Sequence, residues 1–228
     1  MLSKQQHTKL IVLIDPDKYN PALVELANTC KVSYIFVGGS VLKKNNLDKT
    51  IQSIQSITNI PVIIFPGDET QISKRADGIL ILSLLSGKNL EYLIGKHIKA
   101  AHHIKKSGLK TIPTGYILID GAKQSTTQKI TKTKPLSLKK EIVTTAIAGE
   151  LLGKQLIYLE AGSGAKKTLN SSIVKDVKKN VSIPVIVGGG IDSVAKVKEL
   201  LKAKADYLVI GNALERNYLF LKELNHLF

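Results

Sequence analysis

Short apolar segments rich in β-branched residues recur along the chain and constrain its fold more than any other feature. Eight of them begin near Leu10, Tyr34, Pro61, Gly78, Thr111, Gln155, Pro184 and Tyr207. Their mean spacing is about 28 residues, close to the length of one strand, one crossover helix and the loops between them. Nearly continuous apolar segments such as Leu10–Ile14 are typical of strands covered on both faces. The pattern therefore predicts parallel strands joined by helices.

The segments between the strands are amphipathic and rich in lysine. Leu90–Lys106 and Ser137–Leu152 carry apolar residues at roughly 3.6-residue spacing, with Gly108 and Gly153 where helix C-caps are expected. Alternating strands and helices with no long insertion predict an α/β fold, specifically a (β/α)8 TIM barrel with a single domain over residues 1–228. An open doubly wound sheet is the alternative.

Two stretches depart from this alternation. The interval from Pro61 to Gly78 leaves room for only a brief helix near Thr70–Ala76. After the fifth strand, the polar stretch Gly121–Lys134 predicts a mobile loop at the mouth of the barrel.

The chain is strongly basic, with 33 Lys and Arg against 18 Asp and Glu and a formal net charge of +15. This balance favours an anionic partner, which could be nucleic acid, an anionic membrane surface or a phosphorylated small molecule. Aromatic residues make up only 5% and tryptophan is absent, which weakens a base-stacking surface. The lysines are spread over every predicted helix, as in a solvated basic surface, so we expect no nucleic-acid partner.

The single cysteine, Cys30, excludes an internal disulfide and a cysteine-based zinc site within one chain. Residues 1–9 lack a secretory leader, and Leu10–Ile14 is far shorter than the roughly 20 residues of a membrane helix. We therefore expect a cytoplasmic protein.

Glycine-rich turns follow the last three predicted strands. They contain Gly162 and Gly164 after the sixth strand, Gly189 and Gly190 after the seventh, and Gly211 beside Asn212 after the eighth. Barrels commonly bind phosphate there through backbone N–H groups, and glycine lets the backbone approach the ligand closely. No Walker A or Gly-x-Gly-x-x-Gly pattern is present, so a nucleotide site loses support. The pattern predicts a phosphate cradle, with simple tight turns as the alternative.

An acidic and a hydroxyl side chain follow the first two strands at the same end of the barrel. Asp15 ends the first strand before Pro16, and Ser40 occupies a similar level on the second. Their oxygens could face one Mg²⁺ ion, which takes few protein ligands and completes its shell with water and substrate phosphates. Alternatively, Asp15 is only a helix N-cap with Pro16 at the first helical position.

Glu160 is the only carboxylate between Gln155 and Gly164, and it ends the sixth strand. Period-two spacing places Tyr158 and Glu160 on the same face, pointing into the barrel. A buried carboxylate there is interpreted as a general base or a ligand for a substrate hydroxyl. A buried structural ion pair with a lysine is the alternative.

Six motifs in this order resemble the geranylgeranylglyceryl phosphate synthase family over essentially the whole chain, from Ile11 to Leu214. They are Leu13-Ile-Asp-Pro-Asp-Lys18, Val37-Gly-Gly-Ser40, Phe65-Pro-Gly67, Tyr158-Leu-Glu-Ala-Gly-Ser-Gly164, Val187-Gly-Gly-Gly-Ile191 and Ile210-Gly-Asn212. The segment from Tyr158 to Gly164 is the most specific. The glycines after the seventh strand are common to many phosphate-binding barrels.

The resemblance implies a magnesium-dependent prenyltransferase. It would join the 3-hydroxyl of sn-glycerol 1-phosphate to the prenyl chain of geranylgeranyl diphosphate, giving an ether-lipid precursor. Carried over by motif, Asp15 and Ser40 would hold Mg²⁺. Glycerol phosphate would be held by Tyr158, Leu159, Glu160, Ala161, Gly162, Ser163, Gly164, Gly189, Gly190, Gly211 and Asn212. Tyr158 and Glu160 would also be catalytic.

Related heptaprenylglyceryl phosphate synthases carry a lysine two residues before the metal aspartate, where this chain has Leu13. This departure resembles the geranylgeranyl branch. Family members are commonly dimers or hexamers, so the resemblance also implies a homo-oligomer. For the prenyl tail, Leu84, Leu85 and the helices after strands three and four are candidate groove walls.

Two other functions remain open at the level of sequence. The same barrel and phosphate cradle could serve an isomerase or aldolase acting on a sugar phosphate, although no strand interior carries the lysine that such chemistry often uses. A non-catalytic nucleic-acid-binding protein is the less favoured alternative. Under the prenyltransferase hypothesis, the basic surface could hold the enzyme near anionic lipid headgroups.

Overall fold

A computed structural model describes residues 2–43 and 46–228, and over these residues the chain forms a closed barrel of eight parallel strands. The strands are β1 (Lys9–Ile14), β2 (Val32–Val37), β3 (Val62–Ile64), β4 (Gly78–Leu84), β5 (Lys110–Leu118), β6 (Leu156–Glu160), β7 (Val185–Gly188) and β8 (Tyr207–Ile210). Each strand pairs with the next, and β8 closes the barrel on β1 with Leu208 opposite Leu10. The predicted (β/α)8 barrel is confirmed. Met1 and residues 44–45, which belong to the predicted domain 1–228, lie outside the described residues.

Helices cover the outside of the barrel. They are α1 (Pro21–Ala27), α2 (Leu47–Ile57), α3 (Lys96–Ser107), α4 (Thr126–Thr131), α5 (Lys139–Leu151), α6 (Ser171–Asn180), α7 (Val194–Lys202), α8 (Asn212–Arg216) and α9 (Phe220–Leu224). A π-helical turn, Glu91–Gly95, leads directly into α3. Short 3-10 turns occupy Pro16–Lys18 and Asn225–Leu227. Gly108 and Gly153 follow α3 and α5 with φ of 70° and 79°, so both predicted C-cap glycines are confirmed.

The core has two layers because successive side chains of a strand point to opposite faces. Ile11, Phe36, Leu80 and Tyr158 belong to the layer that fills the barrel. Their strand neighbours, such as Leu159, pack in the outer layer between the strands and the helices. Tyr158 is buried, so the predicted inward orientation is confirmed.

The helix predicted near Thr70–Ala76 does not form, although the structure describes the whole connection between β3 and β4. Polar side chains hold this connection in an irregular path instead. The Gln71 carboxamide accepts a hydrogen bond from the Gly67 N–H (3.1 Å) and donates to the Gly39 carbonyl (2.8 Å). Asp68 accepts from the Thr70 N–H (2.8 Å). These bonds satisfy the backbone groups that a helix would otherwise pair.

The stretch Gly121–Lys134 was predicted as a loop, but part of it is helical. α4 begins after Ser125, whose hydroxyl caps it by accepting from the Gln128 N–H (3.1 Å). Ser125, Thr131 and Thr133 are buried, which ties the stretch to the barrel mouth. Among the described residues, no helix has both the length and the apolar character needed to cross a membrane.

Candidate active site at the carboxyl ends of the strands

The carboxyl ends of the strands surround an open cavity of about 550 Å³. Its lining includes most of the predicted site residues, namely Asp15, Ser40, Tyr158, Glu160, Ser163, Gly164, Gly189, Gly190, Gly211 and Asn212. These residues come from five different strand-end turns. The closed barrel brings them together because all of its strands run in the same direction.

Three predicted site residues do not line this cavity. Leu159 packs in the outer core layer, and Ala161 is buried beside it. Gly162 is also buried, and its N–H donates to Oε1 of Glu160 at 2.6 Å. Ala161 and Gly162 therefore shape the turn after β6, while the side chain of Leu159 supports the strand from behind.

The turns after β7 and β8 carry backbone donors that are free to bind an anion. Within residues 2–43 and 46–228, the N–H groups of Gly189, Gly190, Gly211 and Asn212 make no hydrogen bond. Gly189 and Gly190 have φ of 86° and 67°, a conformation that residues with a Cβ rarely adopt. A Cβ on Gly189 would lie 2.3 Å from Oε1 of Glu160. Glycine is therefore required here both for the turn and for the space beside Glu160.

Glu160 lies between these donors and the barrel interior. Burial raises the pKa of its carboxyl to about 7, although hydrogen bonds from the Gly162 N–H and the Tyr158 hydroxyl favour the ionised form. Gly188 leaves space for this pair, since a Cβ there would lie 2.3 Å from the Tyr158 hydroxyl and 3.0 Å from Oε2 of Glu160. Within the described residues Glu160 forms no salt bridge, so the structural ion pair considered from the sequence is not observed there.

Asp15 lines the same cavity as Glu160 and also caps a turn. Its Oδ1 accepts from the Asp17 N–H at 3.0 Å, so it caps the turn Pro16–Lys18 as the alternative interpretation predicted. Its Oδ2 lies 3.8 Å from Nζ of Lys18. Ser40 lines the same cavity. Capping thus engages Oδ1 of Asp15, a residue that lines the cavity.

Basic side chains surround the cavity. Its lining includes Lys18, Lys43, Lys166 and Arg216. Lys18 is paired with Glu215 at 2.8 Å, which raises the pKa of its ammonium group. A ring of cations at a concave site attracts anionic ligands.

A second, apolar opening runs from the cavity along β4 toward the outside of the barrel. It lies between the β3–β4 connection and the helix α3, and it is lined by Phe65, Ile72, Ile79, Ile81, Leu84, Tyr92, Ala100, Ile104 and Ile130, among others. This groove is open because the described connection from β3 to β4 contains no helix that could cover β4 on that side. Leu84 lines the groove as expected. Leu85 instead packs near Gly115 and Gly149 on the other side of the strand.

The cavity and the groove are continuous, because they share lining residues. These include Gly39, Ser40, Phe65 and Tyr116. Tyr116 packs against Phe65 and Tyr158, with ring centroids 6.1 Å and 5.4 Å apart. Burial and the nearby Glu160 carboxylate raise the pKa of the Tyr116 hydroxyl well above its usual value. Aromatic rings therefore lie where the cavity, with its basic side chains and free backbone donors, meets the apolar groove.

A family model described as the PcrB family matches residues 3–226. The chain belongs to the PcrB family. It is 46% identical over 219 residues to a geranylgeranylglyceryl phosphate synthase of Chitinophaga pinensis, covering 93% of this chain and 87% of the relative. It is 47% identical over 220 residues to the synthase of Zunongwangia profunda, covering 93% of both chains.

Among solved structures, this PcrB family member is similar to (S)-3-O-geranylgeranylglyceryl phosphate synthase from Thermoplasma acidophilum in complex with sn-glycerol-1-phosphate. The TM-score is 0.90 at 33% identity, and the match covers 96% of this chain and 91% of that one. The likeness therefore extends over the whole barrel, including the strand ends that form the cavity.

Several residues of the site were missed from the sequence of this family member. Tyr116 pairs in register with Tyr158 on the neighbouring strand, and its position two residues before Leu118 on β5 was a signal that it points inward. Lys166 and Arg216 gave no such signal, because each is one lysine or arginine among 33.

Proposed function

We propose that the protein transfers the geranylgeranyl group of geranylgeranyl diphosphate to the 3-hydroxyl of sn-glycerol 1-phosphate. The bond between prenyl C1 and the diphosphate oxygen breaks, an ether bond forms between C1 and the glycerol oxygen, and diphosphate leaves. The observation that carries this proposal is the continuity of the two openings, since free backbone donors and a buried carboxylate meet an apolar groove at a single junction. One ligand in this reaction is a small phosphate ester and the other is a long hydrocarbon.

The phosphate of sn-glycerol 1-phosphate binds the free N–H groups of Gly189, Gly190, Gly211 and Asn212. Backbone donors in fixed turns hold a phosphate without ordering long side chains, and charge-assisted hydrogen bonds of this type are stronger than neutral ones. Ser163, which donates to the Asn212 carboxamide oxygen at 2.8 Å, positions that turn. Fixing the phosphate orients the glycerol 3-hydroxyl toward Glu160, which converts a bimolecular attack into an oriented one.

Glu160 accepts the proton of the attacking hydroxyl. A base works best when its pKa lies near the operating pH, and the pKa of Glu160 is about 7. The Tyr158 hydroxyl and the Gly162 N–H both donate to the carboxylate, which fixes its orientation before the hydroxyl arrives. Tyr158 is thus a positioning residue for the base as well as part of the aromatic wall.

We propose Mg²⁺ as the cofactor, held by Asp15 and Ser40. Among the described residues, no group of three or more His, Cys, Asp or Glu side chains could enclose a metal by itself. A carboxylate and a hydroxyl that line the same cavity are a donor set suited to Mg²⁺, which takes its remaining ligands from water and substrate phosphates. When bound, Mg²⁺ neutralises the negative charge that develops on the leaving diphosphate. Lys18 and Lys43 add positive charge at the same mouth.

The prenyl tail lies in the apolar groove between the β3–β4 connection and α3. Ile79, Ile81 and Ala100 offer it apolar surface along the groove, and burial of each methylene favours binding by about 0.8 kcal/mol. The rings of Phe65, Tyr116 and Tyr158 line the junction where prenyl C1 meets the glycerol oxygen. They keep bulk water from the reacting carbon.

We further propose that residues 1–228 act as one domain in the cytoplasm, as a homo-oligomer of two or six copies. The family resemblance supports this proposal. Light scattering on the purified protein gives the copy number directly.

The reaction is tested by incubating the protein with Mg²⁺, radiolabelled sn-glycerol 1-phosphate and geranylgeranyl diphosphate, followed by organic extraction. Label is expected in the organic phase only when Mg²⁺ is present, and EDTA is expected to abolish the transfer. Prenyl diphosphates of other lengths then define the chain-length preference. If folded protein transfers label to no prenyl diphosphate, the proposal is wrong.

A further inference from the structure

The helix that borders the groove has a second apolar face that no other part of the described chain covers. Leu90, Ile94 and Ile98 are 69%, 50% and 67% exposed. Their spacing of four residues places them one above another along one side of the π-helical turn and α3. Tyr92, Ala100 and Ile104 on another side of the same helix line the groove. A surface helix normally buries a single apolar stripe, so the exposed stripe needs a separate explanation.

The exposed stripe adjoins the rim of the groove. The Asn89 side chain donates to the Thr131 carbonyl at 3.3 Å, and the Tyr92 hydroxyl donates to the Ile130 carbonyl at 3.5 Å. These two bonds tie the start of the helix to the end of α4. Ile130 itself is 36% exposed and lines the groove. Apolar surface therefore continues from Leu90 and Ile94 to the groove opening.

Unpaired lysines flank this apolar surface. Lys88, Lys129, Lys132 and Lys134 are exposed, and none forms a salt bridge within the part of the chain that the structure describes. The nearest lysines on the helix behave differently, since Lys96 and Lys99 pair with Glu69 and Glu91. A free positive charge beside exposed apolar side chains is the composition of a surface that meets anionic headgroups at a membrane interface.

We propose that Leu90, Ile94 and Ile98, together with Lys88, Lys129, Lys132 and Lys134, form a docking face for an anionic lipid bilayer. The three apolar side chains enter the headgroup region, and the lysines bind the lipid phosphates. In this orientation the groove opens toward the bilayer, so a prenyl diphosphate passes between lipid and enzyme without exposing its tail to water. This inference rests on the proposed function, because the lipid character of that substrate gives the docking face its use.

A second copy of the chain fits this face less well than a membrane does. An isologous contact between two copies places the same patch on both sides, which would bring each lysine cluster close to its copy. Like charges at such a contact oppose association, and the chain already carries a net charge of +15. An anionic bilayer offers the complementary charge and an apolar interior at the same surface.

Vesicle co-sedimentation tests the docking face without substrate. The wild-type protein is expected to bind vesicles of phosphatidylcholine with roughly one-third phosphatidylglycerol, and to bind pure phosphatidylcholine far more weakly. The triple variant Leu90→Ser, Ile94→Ser, Ile98→Ser is expected to lower the partition coefficient roughly tenfold. The matched control, Leu151→Ser with Leu152→Ser, changes side chains that are 82% and 73% exposed at the end of α5, and it is expected to bind as wild type.

A charge variant keeps the test independent of the apolar substitutions. Lys129→Glu with Lys132→Glu is expected to reduce binding to the anionic vesicles by about fivefold or more for each lysine, and to leave binding to the neutral vesicles unchanged. Equal binding of wild type to both vesicles would overturn the proposal, as would wild-type binding by the triple serine variant. Light scattering is run in parallel. A triple variant that loses its oligomeric state and keeps its vesicle binding would assign the stripe to a second copy instead.

Transferase activity with detergent-dispersed substrates separates this inference from the proposed function. None of the substituted residues lines the cavity or the groove, so all variants are expected to retain wild-type activity in detergent. Vesicle binding with no transferase activity in any protein would contradict the proposed function and leave the docking face intact. Full activity without vesicle binding would contradict only the docking face.

Discussion

The cavity at β6, β7, β8 and β1 and the groove along β4 adjoin each other, but they are built in opposite ways. The cavity takes its binding groups mainly from the backbone, in turns whose glycines hold free N–H groups beside Glu160. The groove takes its surface from apolar side chains that lie open because the β3–β4 connection is irregular. The first region depends on exact positions of a few atoms, while the second depends on the amount of apolar surface left uncovered. Substitutions in the two regions should therefore change different kinetic constants.

Replacing Glu160, the proposed base, is expected to have the largest effect on turnover. Glu160→Gln keeps the size of the side chain but cannot accept the hydroxyl proton, so kcat should fall on the order of 100-fold or more. The matched control is Glu199→Gln, which removes an exposed carboxylate on α7 and should leave kcat unchanged. Steady-state kinetics at saturating substrates measures both. Near-normal turnover of the Glu160 variant would remove this residue from the role of base.

A larger side chain in the groove is expected to weaken use of the prenyl substrate and to leave binding of sn-glycerol 1-phosphate nearly unchanged. Ala100 is buried on the groove side of α3, and Ala100→Phe should lower kcat/KM for geranylgeranyl diphosphate roughly 30-fold, because the ring occupies volume that the tail needs. The KM for sn-glycerol 1-phosphate should stay within about twofold of wild type. The neighbouring Ala101 is exposed, so Ala101→Phe is the control. An equal loss for both substrates would mean that the two openings are not independent.

Asp15→Asn separates the capping role of this residue from metal binding. Asparagine caps a helix as well as aspartate does, so the bond from the Asp17 N–H and the melting temperature should be preserved. Loss of the carboxylate charge should raise the Mg²⁺ concentration for half-maximal activity about tenfold. A titration of activity against Mg²⁺ measures this shift. Wild-type behaviour of the variant would leave capping as the role of Asp15.

A pair of glycine substitutions separates the steric clash of a new Cβ from the strain that any residue with a Cβ suffers at positive φ. Gly189 and Gly153 have φ of 86° and 79°, but a Cβ on Gly189 meets Glu160 and Gly162, while one on Gly153 meets nothing within 4 Å. Gly189→Ala should raise the KM for sn-glycerol 1-phosphate about fivefold or more, since it displaces one turn of the proposed phosphate site. Gly153→Ala should cost stability alone. Equal KM values in the two variants would argue against a phosphate site at Gly189.

The raised pKa of Glu160 predicts that the stability of the protein depends on pH. The pKa is about 7 in the folded protein, against an ordinary value of 4.5 for a glutamate side chain. The folded state therefore binds this proton more tightly than the unfolded state does. The resulting contribution to stability is complete below about pH 4.5 and is lost as the pH rises through 7, at a cost on the order of 3 kcal/mol.

Thermal unfolding of Glu160→Gln and of the wild type between pH 5 and 8 measures this loss. The variant does not titrate at this position, so it should not lose this stability as the pH rises. Its melting temperature relative to that of the wild type should therefore increase by on the order of 5 °C from pH 5 to pH 8. The exposed control Glu199→Gln should show no such gain. A constant difference across the pH range would contradict burial of an ionisable Glu160.

The sequence determined the barrel and much of the cavity. Strand spacing and amphipathic helices are local patterns, so they predicted the eight strands and the C-cap glycines correctly. The convergence of Asp15, Tyr158, Glu160 and Gly189 on one cavity was also predictable, because parallel strands place all their carboxyl ends on one face of the barrel. The missing helix after β3 was not predicted, since Gln71 stabilises its irregular path through bonds to the distant Gly39.

Only the tertiary structure decided which groups meet and how far they are buried. The groove depends on the π-helical turn before α3 meeting α4, at Tyr92 and Ile130, which are far apart in the chain. The pKa of Glu160 depends on its removal from water, and no sequence pattern reports that. In the sequence, Lys166 and Arg216 cannot be distinguished from the other basic residues, and only the folded barrel shows that they line the cavity. Periodicity is a property of neighbouring residues, whereas burial and convergence arise from residues distant in sequence.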